Sequence, residues 1–131
     1  MTPGMKFGKF KPHSRYHAGM DFLLYLKEDV SYRADRVDAF LTLLWHPYED
    51  RLVGLKLKGF HFIFQRVKSI LDLKNRDFLP LVKALEVALT GGVAECMMNA
   101  LEQQRIEEKY QKAKEFAKRV RVPPEEWKLA A

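Results

Sequence analysis

The chain has 131 residues and a mass of 15.4 kDa, one domain's worth of length and enough to bury a single core. Hydrophobic residues make up 47% and charged residues 31%, which excludes intrinsic disorder as a description of the whole, and no apolar run approaches the ~18 residues of a membrane span. The net charge is +6, and residues 1–20, with Lys6, Lys9, Lys11 and Arg15 and no acid, carry +4 of it, so the remainder is close to balanced.

These features divide the chain into a basic, mobile N-terminal arm (1–20), a single α+β domain (21–122) and a loosely packed C-terminal tail (123–131). Pro3, Gly4, Gly8, Pro12 and Gly19 discourage regular structure in the arm. Its cations alternate with Phe7, Phe10, Tyr16 and His17, a composition that suits single-stranded nucleic acid, where phosphates pair with Lys and Arg while bases stack on rings. The plainer alternative is a loose terminus whose aromatics fold back onto the body. His13, His17 and Asp21 stand at i, i+4 and i+8, which on a helix would share one face and could hold Zn²⁺. Pro12 and Gly19 oppose a helix there, and no metal or cofactor site is assigned. No apolar segment of signal-peptide length follows the basic N-terminus, because Phe22–Leu26 is ended by Lys27, Glu28 and Asp29. A cytoplasmic location is expected, in agreement with a single cysteine, Cys96.

Phe22–Leu26 is too short for its period to decide between strand and helix, and with Val30, Ser31 and Tyr32 it is expected to add a third strand to the hairpin that follows. That hairpin occupies residues 36–59. Val37, Ala39, Leu41, Leu43 and Trp45 share one face and Asp38, Phe40, Thr42, Leu44 and His46 the other, while in the return strand Val53, Leu55 and Leu57 alternate with Gly54, Lys56 and Lys58. The apolar sets must meet, so opposed residues sum to an even number, either 96 with Asp38 opposite Lys58 or 98 with Thr42 opposite Lys56. Residues 46–50 form the turn, with Pro47 pre-set for its second position.

Tyr32, Asp38-Ala39 and Leu52-Val53-Gly54-Leu55 resemble a family of short uncharacterised prokaryotic proteins, a domain of unknown function in which a Tyr precedes Asp-Ala, an alternating strand and Leu-Val-Gly-Ile. The likeness covers the hairpin, with Tyr32 one residue further from Asp38 than in the family pattern. It implies a β-meander and transfers no functional residue.

After Gly59 the period becomes helical. Phe60, Ile63, Phe64, Val67, Ile70 and Leu71 form the apolar face of a first helix. Asp77 is placed to cap a second helix, with Pro80 in its first turn, a stripe of Phe78, Leu81, Val82, Leu85, Ala88 and Leu89, and Gly91-Gly92 as its end. A third, straight helix is predicted from Val93 to Val120, stopped by Pro123-Pro124. The fold class is therefore α+β, a small antiparallel β-meander followed by three α-helices.

Nothing in the sequence supplies a P-loop, a nucleotide-binding glycine pattern, a Cys/His array or a nucleophile motif, so no catalytic residue is assigned. The leading expectation is a non-enzymatic protein-interaction module or homo-oligomer, because Tyr110, Ala113, Phe116, Ala117 and Val120 form a second apolar face on the third helix, spaced as in a helix-to-helix seam. The alternative fate of that face is packing within the chain. A second function is nucleic-acid binding through Lys6, Lys9, Lys11 and Arg15 of the arm and Lys118, Arg119 and Arg121 at the end of the helix. A third is a small enzyme using His46, Asp38 or Glu49 near the hairpin tip.

Overall fold

The computed structural model describes residues 10–95 and 99–130. The fold is α+β. Five antiparallel strands, β1 (His13–His17), β2 (Phe22–Leu26), β3 (Arg33–Arg36), β4 (Leu41–Trp45) and β5 (Leu52–Lys58), lie in the order β1-β2-β5-β4-β3, so that β3-β4-β5 is a meander and the β1-β2 hairpin is laid along its free side.

The central hairpin takes the register in which opposed residues sum to 98: Thr42 lies opposite Lys56 and Leu43 opposite Leu55. Leu41, Leu43, Leu55 and Leu57 are fully buried, whereas Lys56 is half-buried and Lys58 exposed. A bulge at Leu44/Trp45 shifts the far end and places Trp45 opposite Leu52. The first strand of this hairpin is shorter than its alternation suggests. Asp38 accepts hydrogen bonds from the N–H groups of Phe40 and Leu41 (2.9 and 2.8 Å) and turns the chain between β3 and β4. Asp38 is therefore not in the strand that faces Lys58.

His13–His17, expected in a mobile arm, is an edge strand, and the boundary drawn after residue 20 falls inside the β1-β2 hairpin. Tyr16 anchors it: the ring is buried, and the hydroxyl donates to Asp21 (2.6 Å). Burial and that carboxylate push the Tyr16 pKa up to about 12.

Among the described residues there are four helices, α1 (Phe60–Leu71), α2 (Leu81–Glu95), α3 (Ala100–Phe116) and the short α4 (Pro124–Trp127). Gly59 starts α1 at φ 65, a left-handed conformation costly for a residue with a Cβ. Phe60, Ile63, Phe64 and Val67 are buried as their spacing predicts, but Ile70 and Leu71 are exposed. Two helix boundaries are corrected. Helix α2 does not stop at Gly91-Gly92 but runs through both to Glu95; a Cβ at Gly91 would make only ordinary contacts, 3.5 Å from the Phe62 ring and 3.6 Å from that of Phe40. The single straight helix from Val93 to Val120 is not formed, because Asn99 is extended and caps α3, accepting from the Glu102 N–H (2.8 Å) and donating to its carboxylate. Cys96, Met97 and Met98 lie outside the described residues. Nor does Asp77 cap α2; its carboxylate accepts from the Lys74 N–H.

The tail is part of the core. Strand β7 (Arg121–Val122) pairs with β6 (Leu79–Pro80), and Trp127, 1% exposed, stacks on Phe64 at 5.1 Å while its indole N–H donates to the Asp77 carbonyl. The helices and the tail bury their apolar sides against one face of the sheet.

Candidate functional site

In antiparallel pairing, opposed residues share a face, so the register sorts every strand side chain to one side of the sheet. The inner set, including Tyr16, Leu23, Tyr25, Leu41, Leu43, Leu55 and Leu57, belongs to the buried cluster beneath the helices. The outer set forms three rows: His13, Leu26, Gly54, Leu44, Ala34; then Arg15, Leu24, Lys56, Thr42, Arg36; then His17, Phe22, Lys58. No residue of the outer set joins the helical core. The rows contain the four cations Arg15, Arg36, Lys56 and Lys58 and not one carboxylate. Among the described residues none of the four forms a salt bridge.

Apolar and aromatic groups fill the space between these charges. Phe22 is half-buried, stacked on His17 with centroids 4.4 Å apart and planes 25° apart, and the Lys56 ammonium sits 4.6 Å from its ring centroid. Phe10 packs against His13 at 5.2 Å and continues the aromatic edge. Gly54 is required at the centre, because a Cβ there would lie 2.4 Å from the Tyr25 carbonyl oxygen and 3.0 Å from the Leu26 side chain. The result is an apolar floor that is accessible at Leu24, Leu26 and Ala34 and closed to solvent at Gly54 and Leu44 (1% exposed), with the cations in the two rows beside it, an arrangement that offers rings and positive charge to a ligand. It has no paired carboxylates and no nucleophile–base pair.

The arm and helix cations named from the sequence meet this surface unequally. Arg15 lies in its middle row, Lys11 is exposed just before β1, and Lys6 and Lys9 lie outside the described residues. Lys118, Arg119 and Arg121 line a separate cleft of about 840 Å³ between the β1-β2 hairpin, the end of α3 and the tail, to which Pro12 and His13 also contribute. The proposed seam is corrected: Tyr110, Ala113 and Ala117 are fully buried in the chain's own core, with Phe116 and Val120 half-buried against it. Phe116 meets Tyr25 edge-on at 5.8 Å.

His13, His17 and Asp21 do not converge. Two positions four apart on a strand are about 13 Å apart, and Asp21 accepts from the Tyr16 hydroxyl and the His61 N–H. Among the described residues no group of three His, Cys, Asp or Glu is arranged to hold a metal ion. The hairpin-tip residues are each occupied: His46 Nδ1 accepts from the N–H groups of Tyr48 and Glu49 and Glu49 pairs with Arg51, while Asp38 lies apart from both at the other end of β4.

Two arrangements are invisible in the sequence. Asp38 holds the hydroxyl of buried Tyr110 (2.9 Å), and Asp35 accepts from the Lys109 ammonium (2.8 Å) and the Trp45 indole N–H, which together clamp α3 to the β3-β4 turn. Desolvation and the Asp38 charge drive the Tyr110 hydroxyl far above its ordinary pKa, and Lys109 holds the Asp35 carboxyl below its own. Among the described residues no helix is long and apolar enough to cross a membrane. No protein-family model matches the chain, and neither the curated proteins nor the solved structures compared with it include a match.

Proposed function

We propose that the protein is a non-enzymatic binding module whose outer sheet face holds single-stranded nucleic acid. The observation that carries this reading is the composition of that face: four cations without a carboxylate, set around Phe22, His17 and an apolar floor on a sheet whose other side carries the helices. Exposed sheet faces of this kind serve single strands because bases stack on outward rings while phosphates run past lysine and arginine. A duplex, whose bases are already stacked, gains only the charge contacts.

The test is fluorescence anisotropy with a twelve-nucleotide single strand and its duplex. Wild type should bind the single strand more tightly, with log K falling against log[salt] at a slope of roughly −3 or steeper, about −0.7 for each phosphate neutralised and at least four on the sheet face. Phe22→Ala should weaken binding by about 1–3 kcal/mol without altering that slope. Absence of low-salt binding by the intact chain would remove the proposal.

A protein partner is the second reading, supported by the groove between α1 and α2, where Phe62 and Ile70 are 47% and 57% exposed. It makes no use of the sheet face. The cytoplasmic location and the hairpin's likeness to the uncharacterised prokaryotic family accompany this proposal as further expectations and supply none of its residues.

A further inference from the structure

The cleft at the end of α3, like the sheet face, brings cations together with rings, although three carboxylates stand among them. Lys118, Arg119 and Arg121 stand at its wall, all exposed and, among the described residues, none in a salt bridge. Its aromatic lining is Phe78, 53% exposed, with Phe116 and Tyr25. The Lys27 ammonium lies 5.7 Å from the Phe116 centroid, as Lys56 lies over Phe22 on the sheet. Burial raises the Tyr25 pKa, so its hydroxyl stays protonated and able to donate. Glu115, Glu125 and Glu126 also line the cleft, and Glu126 is already engaged, accepting from the Tyr16 N–H (2.7 Å) at the edge of β1.

His13 belongs to both surfaces, standing in the first outer row and also lining the cleft. Five strands at ~4.8 Å spacing give the sheet a width of roughly 19 Å, room for about three or four nucleotides. A longer strand must leave the sheet, and over β1 it meets cations and rings again. We infer that the cleft is a second subsite for the same ligand, so that a single strand bends over the β1 edge and its flanking nucleotides occupy the cleft. This inference rests on the proposed sheet-face function and adds a length dependence to it.

Anisotropy titrations of the full chain with tetrameric and dodecameric oligothymidylate test it. Arg119→Glu with Arg121→Glu should weaken binding of the dodecamer by about tenfold or more and leave the tetramer within twofold of wild type. Phe78→Ala, which alters no charge at an exposed position, should weaken the dodecamer alone by about fivefold or more. Circular dichroism melts within a few degrees of wild type confirm that these variants fold. Unchanged binding of the dodecamer, or an equal loss for both lengths, overturns the subsite and leaves the sheet-face function standing. If wild type binds neither oligomer, both fall together.

Discussion

Asp38 shows how much one side chain decides. Its carboxylate accepts from two backbone N–H groups that make the β3-β4 turn and from the hydroxyl of Tyr110, a fully buried residue on α3. Tyr110→Phe removes a hydrogen bond to a charged acceptor and should cost about 1.5–3 kcal/mol in urea unfolding. Asp35 carries a pH signature. Lys109 depresses its folded pKa below the unfolded value, so the stabilisation is fully present above the unfolded pKa, near ~4, and is lost as pH falls through the folded value. Lys109→Met should therefore lower stability at pH 6 and narrow its difference from wild type as pH drops below 4, as followed by thermal melts. A difference that widens under acid would contradict the pairing. His46 is as specific in its own turn, accepting two backbone N–H groups at 3.1 Å.

Among elements, the central hairpin carries the strongest constraint. Leu43 is fully buried on the inner face and Lys56 stands on the outer one, so Leu43→Lys should destabilise by several kcal/mol while Lys56→Leu should fold normally and weaken only ligand binding. Equal losses of thermal stability would contradict the register. The parity of that register is legible because a strand's period of two leaves few ways to bury Val53, Leu55 and Leu57 while keeping Lys56 and Lys58 out, but the choice of 98 over 96 and the bulge that pairs Trp45 with Leu52 are not. The turn at Asp38 was hidden inside an alternating run. A glycine near the end of an apolar stripe carries the same sequence signal whether it caps a helix or lies within one, and Gly91 lies within α2. The start of α3 had a usable signal in Asn99 and Glu102, three apart as a capping pair requires. The outer face was half legible: two of its lysines were known to point away from the core, but Arg15, Phe22 and Arg36 join them through the pairing of β1, β2 and β3, which no local pattern specifies.

At the scale of the molecule the distribution of charge and burial matters more than any motif. The apolar face of α3 that suggested a dimer is consumed by the chain's own core, and the tail closes that core through Trp127. One side of the sheet therefore supports the fold, and the other presents cations and rings. The most direct test is methyl-resolved NMR of the leucines during titration with single-stranded oligothymidylate, because leucines stand on both faces of the same strands. Shifts at Leu24 and Leu26, with Leu23, Leu43 and Leu55 unmoved, are the predicted result. Perturbation confined to residues around Phe62 and Ile70, or no perturbation at all, would contradict the sheet face as the binding surface.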